Sequence, residues 1–397
     1  MIDGNLTLSQ QQFFIGEGKE AGRQWRIPLN GNYDAAPEIM DQQQVNLGNY
    51  NDLRKANGKP FRLNVGNNSH FIVKYDKTLL DDILADATSL DAISQLQLLQ
   101  DLRYLAEGHQ LSYAALVPLL SKFADSHATI VNAGLYRIAN DLKKFVLAES
   151  KEKKQLQALF DQLSSKQVAR LGWTGKAGES NDDQLTRPIV LNAALYAENE
   201  KAIASAHELF SANSDKLETL SAAIRVFVLR NEVKNFGSEA LFKKLLTAYR
   251  QTSDASYKSD ICSALTSTTD PALIMKLVES FEDANTIKPQ DLRAWFRGVL
   301  ANEDGQQAAW DWIRNDWQWL EDTVGGDMEF STYITVIASI FKTPTRLAEF
   351  KAFFEPKIQT PGLTREIQMD IKVIETRVKL IKDERQAVND AVSEAVK

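Results

Sequence analysis

The spacing of apolar residues changes period once along this chain, near residue 76, and that change limits the possible folds more than any other feature. Before it, Leu6 and Leu8 alternate with polar residues, as do Trp25, Ile27 and Leu29. Phe61, Leu63 and Val65 repeat the alternation, and Phe71, Val73 and Tyr75 continue it. A period of two sends these side chains to one face of a sheet. Turn signals separate the runs at Gly16-Glu17-Gly18, Asn30-Gly31-Asn32, Asn57-Gly58-Lys59-Pro60 and Gly66-Asn67-Asn68. The expectation is a small β-sandwich over residues 1–76.

From residue 77 the period is helical. Leu116, Leu119, Leu120 and Phe123 fall at i, i+3, i+4 and i+7, as do Ile274, Leu277, Val278 and Phe281, and Ile334, Ile337, Ala338 and Phe341. Breaks at Gly108, Gly172-Trp173-Thr174-Gly175, Asn235-Phe236-Gly237 and Gly325-Gly326 divide this part into segments of helical length. No strand pattern follows residue 77. Roughly 320 residues of helices exceed one compact core, whereas stacked antiparallel pairs bury each stripe against its neighbours. The fold class read from this is mostly α: the β-sandwich, then a HEAT-like α–α superhelical array over residues 77–397.

Local signals place some boundaries. Thr269-Asp270-Pro271 offers a cap and a first-turn proline ahead of Ile274, and Lys288-Pro289-Gln290-Asp291 starts another helix. Asp304 is expected to cap one helix carrying Trp310, Ile313, Trp317 and Leu320, with Trp312 and Trp319 on other faces. Such an aromatic cluster reads as core between stacked helices.

The chain carries little that could do chemistry alone. His70, His109, His127 and His207 include no pair at i, i+4 and no His-Glu-x-x-His, so each reads as structural or solvated. Cys262 lies in the apolar stretch Ser259–Leu265 and reads as buried filler. Gly-x-Ser-x-Gly, phosphate-cradling glycine loops and calcium-loop spacings are absent. Asp81-Asp82 and Asp182-Asp183 are adjacent, and adjacent residues point apart on a helix, so no shared-proton pair is implied; the second pair lies in a polar loop, Gly178 to Asp183, that could equally be a linker. No catalytic residue, cofactor site or metal site is therefore expected within this chain.

Charge narrows the partners. Lys and Arg number 46 against 53 Asp and Glu, a net of −7 with both signs interspersed, which argues against nucleic acid. The basic cluster at Lys151, Lys153 and Lys154, interrupted by Glu149 and Glu152, reads as a solvated helix face. No apolar run approaches the ~18 residues that span a bilayer. The first residues do not read as a signal peptide, and one cysteine suits a reducing cytoplasm.

Several stretches resemble the C-terminal region of the aminopeptidase N family of zinc aminopeptidases, the gluzincins that include puromycin-sensitive and endoplasmic-reticulum aminopeptidases. Trp25-Arg26-Ile27-Pro28-Leu29 resembles a Trp-x-Ile-Pro-Leu strand of that family. Leu63 to Asp76 resembles the element ending its β-sandwich, with Ile72 and Lys74 in place of the usual Arg and Asn. Leu171-Gly172-Trp173 followed by Leu185 to Leu191 is similar to its Leu-Gly-Trp, acidic loop, Leu-Arg-x-x-Val-Leu passage. Lys288-Pro289-Gln290-Asp291, the run Gly305 to Trp317, and Lys351 to Glu355 match further elements in the family's order.

The resemblance implies a part of a metalloaminopeptidase whose zinc motif and exopeptidase motif belong to earlier domains not present in this sequence. It implies a piece of a longer hydrolase, inactive alone, whose helical array curves over the zinc cleft and controls access of short peptides. Its partners would be the missing N-terminal and catalytic domains and the peptides themselves, with a hinge near Tyr75 to Leu79. Gln290 and Arg293, at the start of a helix whose family counterpart faces the chamber, are the candidate peptide-facing residues. The alternative is a stand-alone helical-repeat scaffold for protein partners.

Overall fold

The computed structural model describes residues 1–16, 18–326 and 330–397. Glu17, in the first of the turn signals, lies outside the described residues.

β1 (Asn5–Ser9) and β4 (Gln44–Asn49) pair antiparallel, and β2 (Ile27–Pro28) pairs with β3 (Ile39–Met40). Leu6 and Leu8 are buried as their alternation implies, and they share a core with Leu29, Tyr33, Met40, Phe61, Leu63 and Val73. Two expected strands do not form. Between Phe61 and Val65, Asn64 holds a left-handed backbone (φ 55°), which no strand accommodates. Its amide instead brackets Ser69, accepting from the Ser69 N–H at 2.9 Å and donating to the Ser69 carbonyl at 2.8 Å. From Phe71 to Tyr75 the Val73 N–H donates to Asp101 Oδ2 at 3.3 Å, so a helix side chain stands where a partner strand was expected. Phe61, Leu63 and Val73 are buried as the alternation implies, but Asn64 is buried too, and Val65, Phe71 and Tyr75 are only half-buried. The sequence reading also missed α1 (Tyr50–Asn57), capped by the Asn49 side chain and ended by Gly58.

The remaining helices are α2 (Lys77–Ala85), α3 (Ala92–Glu107), α4 (Val117–Phe123), α5 (Thr129–Leu142), α6 (Lys151–Leu171), α7 (Asn181–Tyr196), α8 (Glu200–Ala212) and α9 (Ala222–Phe236). They continue with α10 (Glu239–Gln251), α11 (Ala255–Leu265), α12 (Pro271–Glu279), α13 (Pro289–Ala301), α14 (Gln306–Asn315), α15 (Trp317–Val324), α16 (Thr332–Ile340), α17 (Pro344–Phe354) and α18 (Thr364–Ala395). Among the described residues no strand follows β4. One row of neighbours runs α3, α5, α7, α9, α11, α13, α16, α18, and α6, α8, α10, α14 and α17 each pack against a member of that row. This is a stack of helix pairs. It departs from an open solenoid in one respect, because α18 also packs on α4 and α6 near the start of the stack. At 1.5 Å per residue its 32 residues span about 48 Å, enough to reach back. Ile367 and Ile374 of α18 lie in the core of the later helices, while Leu380, Ile381, Val388 and Val392 lie in that of the earlier ones.

Asp270 caps α12 and Pro271 opens it, and Pro289 opens α13. The expected tryptophan helix is two helices, α14 and α15, broken at Asp316, and Gly305 rather than Asp304 holds the first N-cap position. Trp310 and Trp317 still converge, both lying against Phe353 at 5.8 Å between ring centres.

The β-rich region is tied closely to the first helices. Arg54 Nε and Tyr50 Oη donate to Asp82 Oδ2 at 2.7 and 2.5 Å, and Gln97 Nε2 donates to the Leu63 carbonyl at 3.2 Å. Leu79 of α2 is buried in the β-region core. A hinge between Tyr75 and Leu79 would have to break these bonds.

Candidate functional site

Among the described residues no group of three or more His, Cys, Asp and Glu side chains stands together to hold a metal ion. His70, His109 and His127 are exposed. His207 has a partner the sequence could not name: its Nδ1 lies 2.8 Å from Glu232 Oε2, and its ring stacks on Phe236 at 4.0 Å. Cys262 is buried, and burial pushes its thiol up to about 12, which removes thiolate character. Asp82 and Asp183 are held by Arg54 and Arg170, respectively.

Gln290 and Arg293 stand three residues apart at the start of α13, on one face. Gln290 is exposed. Arg293 is half-buried and donates from Nη1 to Thr332 Oγ1 at 2.9 Å, linking α13 to α16.

A larger feature was not read from the sequence: a cleft of about 460 Å³ across α5, α6, α7 and α9. Its apolar lining is Ala133, Phe160, Pro188, Ile189, Ala193 and Phe227, and its polar lining is Tyr136, Arg137, Asn140, Asp141 and Asn192. Each helix presents one face: Ala133, Tyr136, Arg137 and Asn140 follow i, i+3, i+4, i+7 on α5, and Ile189, Asn192 and Ala193 do likewise on α7. Tyr136 is only 4% exposed, and its hydroxyl has no hydrogen-bond partner. An orphaned buried hydroxyl costs about 1–3 kcal/mol, which a ligand acceptor would recover. Burial raises the phenol above its ordinary range and keeps it a donor. Pro188, inside α7, has no N–H for the Gln184 carbonyl, so the helix ladder is also interrupted beside the cleft.

From the cleft floor an aromatic row leads toward the end of α7. Phe160 lies 6.4 Å from Tyr136 and 4.5 Å from Tyr196. The ammonium of Lys143 sits 3.6 Å from the Tyr196 ring centre and 4.8 Å from that of Phe160. Burial and the nearby Arg230 lower that amine to about 8. On α6, Lys153, Gln157 and Phe160 share one face at i, i+4, i+7, and Gln157 Nε2 donates to the Tyr196 carbonyl at 3.2 Å. The basic cluster around Lys151 is thus not uniformly solvated. Lys153 pairs with Glu303 at 3.0 Å, across 150 residues of sequence. That spacing on α6 was the only local signal of an inward face; the partner was too distant in sequence to be seen. Together these groups offer hydrogen-bond donors, aromatic faces and cations, the means to hold an extended polar chain with an apolar side group.

Comparison with known sequences agrees with this architecture. The profile of the ERAP1-like C-terminal domain family matches residues 61–376. Over 394 residues the chain is 60% identical to aminopeptidase N of Lactobacillus helveticus and 55% identical to aminopeptidase N of Lactobacillus delbrueckii subsp. lactis, in each case over 99% of this chain and 47% of the relative. Similarity extends to aminopeptidase M1 of Arabidopsis thaliana, 24% identical over 93% of this chain and 44% of the relative. The chain spans about half the length of the curated relatives it matches. No described helix is long and apolar enough to cross a membrane. The chain belongs to the ERAP1-like C-terminal domain family and corresponds to the C-terminal region of an enzyme of the aminopeptidase N family.

Proposed function

We propose that this chain is the access-controlling part of a zinc metalloaminopeptidase that removes N-terminal residues from peptides, and that it is inactive alone. The observation that carries the reading is its similarity, over 99% of its length, to aminopeptidase N sequences about twice as long. Among the described residues no side chains assemble a donor set for zinc. That ion would belong to the other half of the enzyme, and no step is routed through it here. What this part contributes is enclosure and binding: the helix pairs wall a chamber, and the cleft at Tyr136, with Gln290 and Arg293, faces peptides within it. The bonds of α1 with Asp82 of α2, and of α3 with the Leu63 carbonyl and the Val73 N–H, favour opening and closing as a unit over bending at Tyr75 to Leu79. A cytoplasmic setting fits the single buried thiol.

The test uses the full-length protein and this chain separately. Release of aminomethylcoumarin from a leucyl substrate by the full-length protein, abolished by chelator and restored by zinc, is the expected result, with no release by this chain alone. Chelator-insensitive release, or release by this chain alone, would overturn the reading.

A further inference from the structure

The β-rich region meets the helical array along a seam with a buried acid at its centre. Asp101 stands on α3, and its Oδ2 accepts the Val73 N–H at 3.3 Å, so α3 backs the run Phe71 to Tyr75 directly. One turn earlier on the same face, Gln97 Nε2 donates to the Leu63 carbonyl at 3.2 Å, and the Leu63 N–H donates to Tyr75 Oη at 3.0 Å. Tyr75 packs against the β-region core on one side and the earlier helical core on the other. Opening the seam therefore separates Val73 from Asp101 and Leu63 from Gln97. Asp101 has no counter-ion there. Further along α3, Arg103 and Glu107 are engaged by Asp141 of α5 and by Lys144. On the β-rich side the ionisable groups are Tyr75, which burial keeps a neutral phenol, Arg62, whose field reaches Tyr75, and Lys74, which is exposed. On α2, Arg54 holds the Asp82 carboxyl below its ordinary range. A buried carboxyl with no cation beside it favours its neutral form. Burial, only partly offset by the Val73 N–H and Gln97, pushes Asp101 up to about 7.

We propose that this seam is a proton-operated latch: neutral Asp101 holds Phe71 to Tyr75 on α3, and its ionisation loosens that run and frees bending between Tyr75 and Leu79. The proton leaves to bulk water. The carboxylate left behind is hydrated only when Phe71 to Tyr75 lifts from α3, so ionisation and local opening favour one another. The closed seam binds the proton more tightly than the opened one, so acid closes it and rising pH opens it. Asp101 ionises near its ordinary 3.8 in the opened seam and near 7 in the closed one. The opening equilibrium therefore climbs about tenfold per pH unit between those values and levels off above them. Asp82 and Arg54 remain an ion pair at neutral pH, so the bond from α1 to α2 does not switch with it. Acid thus stiffens, and neutral pH relaxes, the joint between the β-rich region and the array. The latch belongs to this junction and does not depend on the aminopeptidase reading.

The test is amide hydrogen exchange in the full-length protein, followed by mass spectrometry from about pH 5 to about pH 8 and corrected for the intrinsic pH dependence of exchange. Protection of the amides in residues 71–75 is expected to fall about tenfold per pH unit from about 5 to about 6.5 and to level off above about 7. Those amides should also exchange faster than the amides of α13 at every pH, which marks a local opening and not unfolding of the whole molecule. Asp101→Asn keeps an acceptor for the Val73 N–H and cannot ionise, so its corrected profile should be flat and as protected as the wild type in acid. A flat wild-type profile overturns the latch, and that measurement needs no variant to fold. Exchange at residues 71–75 no faster than in α13 overturns it as well, since the seam would then open only with global unfolding. A slope that persists in Asp101→Asn overturns it by assigning the proton to another group.

Discussion

At the scale of single residues, two buried charges have measurable consequences. Asp101 on α3 is 7% exposed, and burial, only partly offset by the Val73 N–H and Gln97, raises its carboxyl from 3.8 to about 7. The folded protein therefore binds this proton more tightly than the unfolded chain does. The stability Asp101 contributes is complete below about pH 4 and is lost as pH rises through about 7. Asp101→Asn keeps an acceptor for Val73 and cannot ionise. Calorimetric melting temperatures of wild type and variant should agree below about pH 4 and diverge progressively up to about pH 7, the variant melting higher; parallel curves would refute the assignment. Arg187 on α7 is 5% exposed, paired with buried Glu179 and close to the Leu171 carbonyl. Removing one partner strands the other in a poorly solvated site, so Arg187→Ala should lower unfolding free energy by about 3–5 kcal/mol in denaturant titrations.

At the scale of elements, legibility followed range. The stripe Ile274, Leu277, Val278 and Phe281 is buried because α12 carries its own periodicity, and the Asp270 cap is local too. The turn at Gly172 is equally local: it ends α6 at φ 64°, ψ −168°, a region that side chains exclude. A Cβ there would meet nothing within 4 Å, so the cost of Gly172→Ala is backbone strain alone, about 1–3 kcal/mol by chemical denaturation. What failed needed information from elsewhere in the chain. Phe71 to Tyr75 alternates as a strand does, but its backing is α3, and nothing in that run distinguishes a helix from a sheet as partner. Tyr136 reads as an ordinary core aromatic; only the arrival of α7 and α9 leaves its hydroxyl lining a cleft. Lys153 reads as a surface lysine because its partner Glu303 lies 150 residues away. Fold class was legible from periods; the candidate site was not, since every part of it is made by long-range packing.

At the scale of the whole molecule, α18 is the element that joins the parts. It lies in both helical cores, accepts the Tyr113 N–H at Glu384 Oε2 at 2.7 Å, and donates from Arg377 to the carbonyls of Ala338 and Phe341. The two cores should therefore melt together in one calorimetric transition. Val388→Asp, which buries a charge in the earlier core alone, should split that transition in two; a single lowered transition would show that coupling does not run through α18. The same helix sets a schedule for biosynthesis. Residues 83–193 leave the ribosome roughly 200 residues before Leu380, Ile381, Val388 and Val392 arrive to cover them. At common elongation rates that is about ten to forty seconds during which a long oily strip on the nascent chain stands uncovered. That strip is where a holding chaperone would earliest be needed.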